Sequence, residues 1–152
     1  MSESSKLNLP SFDVKLKKDN QGKVKVYDRL RRRFVALTPE EWVRQHFVNF
    51  LITEKGFPAS LIVNELQLQL GDKKLRCDSV VLGSDGKQHI IIEYKAPTIS
   101  LTQKVFDQIL VYNLLLHVDF LIVSNGLQHI CCKINYETGT YDILEEIPCY
   151  NH

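Results

Sequence analysis

The sequence predicts an α/β fold, and three observations carry that expectation. A helix with clear start and stop signals occupies about residues 38–56. Three strand-like runs follow between residues 61 and 95, and a second helical pattern at 101–117 then leads to a short apolar strand at 119–124. The order helix, three-strand meander, helix, strand gives a mixed central sheet flanked by helices, preceded by an N-terminal β-hairpin. At 152 residues the chain is one domain's worth, and its 44% apolar and 24% charged residues suit a globular protein with a real core.

Taken in order, residues 11–27 read as a hairpin: FDVKLK, a turn at Asp19, Asn20, Gln21 and Gly22, then KVKVY. Apolar residues alternate with lysines, so one face is basic. The following DRLRRRFV continues the basic character towards the first helix, and Arg31, Arg32 and Arg33 can touch phosphates or face solvent. Charge is divided unevenly: residues 1–33 hold ten Lys or Arg against four Asp or Glu, and the remainder nine against fourteen. The net +1 therefore conceals a basic arm of +6 beside an acidic body of −5. Such a layout suits a protein that meets a polyanion with one face and holds a cation with another. Residues 1–36 are assigned to the arm and 37–152 to the main body, within a single globular domain.

The first helix has an N-cap at Thr38, Pro39 at its first position and Glu41 completing a T-x-x-E capping box. Trp42, Val43, Phe47, Phe50 and Leu51 form its apolar stripe, and Gly56 ends it. Residues 61–70, LIVNELQLQL, alternate after Asn64 and form a strand whose only acid, Glu65, is expected on the solvent face, with approach to the site of the next hairpin as the alternative. GDKK then turns into the central hairpin of residues 74–95, KLRCDSVVLGSDGKQHIIIEYK, in which two β-branched runs flank a turn at Gly83, Ser84, Asp85 and Gly86. Ser100-x-x-Gln103 is expected to cap the second helix, whose Val105, Phe106, Ile109, Leu110, Leu114 and Leu116 supply apolar cover. Lys104, Gln108 and Tyr112 recur every four residues along one face of it. DFLIVS, the tight turn Asn125-Gly126, a returning strand at 127–134 and a last strand TYDIL complete the chain.

Several function classes find no support. There is no leader-like start and no apolar run approaching 18 residues, so a cytoplasmic location without a membrane partner is expected. Cys77, Cys131, Cys132 and Cys149 make no C-x-x-C pair and have no His at zinc spacing, so no thiol or zinc chemistry is assigned. Neither a phosphate-cradling G-x-x-x-x-G-K-[ST] nor a G-x-S-x-G nucleophile elbow occurs.

The polar cargo of the central hairpin is the exception in an otherwise apolar element. Folding back about Ser84 and Asp85 brings Asp78 opposite Ile92 or Glu93, and Glu93 and Lys95, two apart, share a face. Two carboxylates about 4 Å apart repel by roughly 1 to 4 kcal/mol at dielectrics between water and a protein surface. Lys95, a shared proton or a divalent cation can offset that repulsion. Oxygen ligands from one or two carboxylates, with other positions left to water and a substrate phosphate, are what Mg²⁺ takes.

With Asp78 on one strand and Glu93-x-Lys95 on the next, the chain resembles the PD-(D/E)XK nuclease superfamily, with Cys77 where that name has proline. Further pieces narrow the likeness: LTPEEWVRQ at 37–45, RCD at 76–78, IEYKAP at 92–97, QILVYN at 108–113 and SNG at 124–126. In this order they are similar to the N-terminal nuclease domain of type I restriction enzyme R subunits, over about residues 27–134. The resemblance implies a restriction-endonuclease-like αβββαβ core and Mg²⁺-dependent hydrolysis of nucleic-acid phosphodiesters, with Mn²⁺ able to substitute. It implies metal binding by Asp78, Glu93 and the backbone carbonyl of Tyr94, with Lys95 beside the attacking water. Gln108 and Tyr112, matching a Q-x-x-x-Y element, would support the site or hold DNA, and Glu41 would be a helix carboxylate beside the metal. Candidates for phosphate contact are Arg31, Arg32, Arg33, Arg44 and Lys104. The expected partner is DNA, with RNA left open, and the chain would act as a homodimer or with other restriction or repair subunits. The alternative is a non-catalytic nucleic-acid-binding or protein-interaction module of the same fold.

Overall fold

The computed structural model describes residues 6–151, excepting the side chains of Leu70 and of residues 112–115. The expected hairpin of the arm is present as β1 (Leu16–Lys18) and β2 (Val24–Asp28), and β3 (Arg33–Ala36) extends it to a three-stranded antiparallel sheet. The third strand lies within DRLRRRFV, where the run of arginines hides it from a reading by composition. Asp28 turns the chain there, its Oδ1 accepting the N–H groups of Leu30 at 2.8 Å and Arg31 at 3.3 Å, and Arg32 closes the turn at φ +54°. Phe34 and Val35 then pair with Tyr27 and Val26, as aromatic and β-branched residues suit a pleated surface.

The first helix, α1 (Pro39–Thr53), starts as expected, with the Thr38 hydroxyl accepting the Glu41 N–H at 3.0 Å. The Glu41 carboxylate does not close the capping box. It is engaged by three side chains of the site described below. Gly56, at φ +77°, reverses the chain after the helix, and the Phe57 N–H bonds back to the Leu51 carbonyl at 3.0 Å.

After a short 3₁₀ turn (Ala59–Leu61), the main sheet runs in the order of the chain: β4 (Ile62–Leu70), β5 (Lys73–Leu82), β6 (Gln88–Tyr94), β7 (Phe120–Ser124), β8 (His129–Asn135) and β9 (Thr140–Leu144). Every pairing is antiparallel except β6 with β7, which are parallel and joined through α2 (Gln103–Leu116). Thr102, not Ser100, caps α2: its hydroxyl accepts the Val105 N–H at 3.3 Å, while Gln103 bonds forward to Asp107. Ser100 is left in a loop that has already turned back on Ala96 through the Ile99 N–H.

The sheet separates two apolar layers, and the pleat decides which residue enters which. Ile90, Ile92 and Tyr94 of β6 join Trp42, Val43, Phe47 and Leu51 of α1 on one face. Ile91, with Val80, Leu121 and Val123, meets Phe106 and Ile109 of α2 on the other. Burying side chains such as Phe47, Leu51 and Ile92, all at 0% exposure, contributes roughly 1.5–3 kcal/mol each. The N-terminal stretch is tied in as well. The Asn8 N–H donates to the Gly126 carbonyl at 2.8 Å, and buried Leu7 closes over that glycine, which turns at φ +86°. No helix among the described residues is long and apolar enough to cross a membrane.

Candidate active site

The regular alternation of β4 and β5 breaks at one rung. Cys77 faces the α2 layer, whereas the Ser79 hydroxyl reaches the α1 layer, where it accepts the Tyr94 hydroxyl at 2.9 Å. Two residues apart on a strand should share a face, so the backbone changes sides at Asp78. Directly across from Asp78, between the pairs Asn64↔Ser79 and Leu66↔Cys77, stands Glu65 at φ +59°, a left-handed conformation that non-glycine residues rarely adopt. On the other side, the β5–β6 ladder ends at Ser79↔Ile92, and one step further Asp78 meets Glu93. Of the two registers left open by the sequence, continuation of the Ser79↔Ile92 pairing sets Asp78 opposite Glu93. The Asp78 Oδ2 accepts the Tyr94 N–H at 3.0 Å, which holds the carboxylate against the end of β6.

These residues line a cavity of about 340 Å³ with Lys95, Arg44, Glu41, Glu65 and Arg76 among its walls. The two carboxyl groups of the acidic pair oppose each other's ionisation within it. Burial, then the adjacent Asp78 carboxylate, pushes the Glu93 pKa up to about 8, with Lys95 pulling only partly the other way. Glu93 Oε1 is buried and accepts no hydrogen bond. Among the described residues no group of three or more His, Cys, Asp or Glu forms a ready-made metal cage. An all-oxygen site of two carboxylates, one with an orphaned buried oxygen, nevertheless fits a magnesium-type ion that keeps several waters.

The family model for the type I restriction enzyme R protein N terminus matches residues 39–148, most of the chain and all of this cavity's helix and hairpin. The chain belongs to that family. A solved fragment assigned to the HsdR subunit of a type I restriction enzyme from Vibrio vulnificus YJ016 shares its fold, with a TM-score of 0.52 at 20% identity. The likeness covers 74% of this chain and 24% of that one, so this R-protein domain spans about a quarter of the solved fragment it resembles. No curated protein matches it.

In this R-protein domain the wall of the cavity is held by an arginine clasp. Arg44, buried on α1, donates Nε at 3.0 Å and Nη2 at 2.6 Å to Glu41, Nη2 at 2.8 Å to Glu65, and Nη1 at 2.8 Å to the Asp78 backbone carbonyl. Burial alone would disfavour its charge, but Glu41 and then Glu65 outweigh that and raise its pKa above the usual arginine range. The clasp thus joins the helix to both strands at the rung where they break. Arg31 extends it from the arm, with Nη2 2.8 Å from Glu41 Oε1 and Nε on Asp28. Asp28, 1% exposed, stays charged because Arg31, Asn64 and the Leu30 amide outweigh its burial and lower its pKa. A second chain of bonds runs Tyr94 to Ser79, Ser79 to Asn64 at 2.6 Å, and Asn64 to Asp28 at 3.1 Å.

Several expectations change accordingly. Glu41 lines the cavity, where it accepts four hydrogen bonds, from Arg31, Arg44 twice and Gln45, enough to occupy the lone pairs of a carboxylate. Arg44 and Arg31 are tied to acids, whereas Arg32 and Arg33 are exposed. Glu65 is part of the clasp instead of the solvent face. Gln108 and Lys104 are exposed and do not line the cavity, because α2 turns Phe106 and Ile109 to the sheet and leaves these residues outward. The Tyr112 side chain lies outside the described residues. Asp28, Asn64 and Ser79 went unnoticed in the sequence. Their one signal was a polar residue at an inward position of an otherwise apolar strand.

Proposed function

We propose that this R-protein domain is a Mg²⁺-dependent nuclease that hydrolyses phosphodiester bonds in DNA. The observation that carries this reading is the pairing of Asp78 with Glu93, whose buried Oε1 has no hydrogen-bond partner in a cavity that also holds Lys95. Asp78, Glu93 and the Tyr94 backbone carbonyl would hold the ion, with Mn²⁺ able to replace it. Once bound, such an ion lowers the pKa of a water and stabilises charge developing on phosphate oxygens. Lys95 holds the attacking water by hydrogen bonding and favours its hydroxide form through its charge. Arg44 acts at one remove, fixing the Asp78 main chain so that the two carboxylates stay on one rung. Membership of the restriction enzyme R protein family also makes assembly with other restriction subunits a natural setting.

The test is a cleavage assay with single-stranded, duplex and branched DNA and with RNA, in Mg²⁺ and in Mn²⁺. Cleavage is expected on at least one DNA substrate, lost in Asp78→Ala and Lys95→Ala proteins that still melt cooperatively. Equal cleavage by those variants would sink the reading, as would its absence from the parent on every substrate.

A further inference from the structure

The small sheet of the arm has two unlike faces. Val26 and Asp28 of β2 point inward, at 0% and 1% exposure, and Asp28 reaches Asn64 of the main sheet. By the alternation of strands the opposite face carries Lys25 and Tyr27 of β2, with their partners Lys17 on β1 and Phe34 and Ala36 on β3. Tyr27 and Phe34 are half-buried and meet edge to face, with centroids 5.3 Å apart. The Lys17 ammonium stands 4.2 Å from the Phe34 ring centre, and that of Lys15 stands 5.6 Å from the Tyr27 ring centre. The strands contribute no acid to this face. Asp19, in the turn at its edge, is engaged by the N–H groups of Gln21 and Lys23, and exposed Asp13 lies ahead of β1.

We propose that this outer face binds single-stranded nucleic acid, with phosphates on Lys15, Lys17 and Lys25 and unpaired bases against Tyr27 and Phe34. The charge of the face selects a polyanion, and the rings narrow the choice. Bases within a duplex hide their faces in the stack, and an acidic peptide offers no flat groups to replace the lysine stems over the rings. A single strand supplies both charge and flat surface. The face is separate from the cavity of Asp78 and Glu93. The inference rests on the nuclease reading only for the class of partner, and measuring it requires no cleavage.

The experiment is fluorescence anisotropy of the full chain with labelled oligo-dT, and with a duplex of equal length, in EDTA so that no metal-dependent cleavage intervenes. The Lys17→Glu/Lys25→Glu protein should bind oligo-dT at least about tenfold more weakly. Its slope of log affinity against log salt should be shallower by about 1.4, at roughly 0.7 per lost phosphate contact. Tyr27→Leu and Phe34→Leu, which keep apolar bulk but remove the ring, should each weaken oligo-dT binding about fivefold or more and leave duplex binding unchanged. If charge reversal lowers the melting temperature, Lys17→Gln/Lys25→Gln replaces it, with the same direction expected. Parental affinity in the lysine variants would overturn the inference. So would ring variants that bind oligo-dT as the parent does or lose duplex binding equally. A protein that binds oligo-dT through this face but cuts nothing in Mg²⁺ or Mn²⁺ would overturn the nuclease reading alone.

Discussion

The buried acid predicts that replacing it with a group that cannot ionise should strengthen the fold as pH rises. The perturbation is Glu93→Gln, which keeps the shape of the side chain and cannot ionise. In the folded protein Glu93 holds its proton up to about pH 8, whereas in the unfolded chain it releases it near 4.5. Between those values the folded state binds the extra proton, so stability must fall as pH rises. The slope is about 1.4 kcal/mol per pH unit, and the accumulated loss is on the order of 4 kcal/mol at the top of the window. The Glu93→Gln protein lacks this loss. Urea denaturation in EDTA, at closely spaced pH values across that window, should show the two proteins together at the acid end. They should then diverge, with the variant the more stable. Mg²⁺ should raise the parent and leave the variant unmoved, narrowing the difference. Parallel stability curves across the window would refute the claim that burial and Asp78 hold a proton on Glu93.

Two further substitutions probe the frame around the site. Arg44→Met leaves Glu41 and Glu65 without their shared cation and should destabilise the protein by about 3–5 kcal/mol in chemical denaturation. Arg44→Lys should recover little of this, because an ammonium cannot serve two carboxylates and a carbonyl in one plane. A loss under about 1 kcal/mol would show that the clasp carries little weight. Gly126→Ala should cost roughly 1–3 kcal/mol, read as a lowered melting temperature. Its φ is +86°, and the new methyl would stand 2.7 Å from Leu7 Cδ2 and 3.2 Å from Val43 Cγ2.

What could be read from the sequence was whatever local chemistry determines. Thr38 and Pro39 mark a helix start because the cap and the fixed φ act within one turn. The central hairpin was legible because its turn is short and its runs are β-branched, and that alone brought Asp78 close to Glu93. The fold class followed from the order of such elements. The clasp was not legible, because Arg44, Glu65 and Asp78 lie on three elements whose contacts depend on tertiary packing. A capping-box pattern pointed Glu41 to the wrong partner: two guanidinium groups, one of them buried, outcompete a backbone N–H for a carboxylate. The alternation of LQLQL suggested an ordinary strand, and nothing in it reveals that Glu65 adopts a left-handed backbone. The arginine run obscured β3 because strand formation there comes from pairing Phe34 and Val35 with β2, which outweighs the neighbouring charges.

The tie between the arm and the rest sets the size of the smallest piece that can stand alone. The family signature begins at residue 39, yet essential partners lie before it. A fragment excised at that boundary would leave Glu41 without Arg31 and Asn64 without Asp28. The Gly126 carbonyl would lose the Asn8 amide, and Val43 would lose the cover of Leu7. The unit that is recognisable by descent is therefore smaller than the unit that is complete by physics, and the difference is supplied by the stretch whose charge first set it apart.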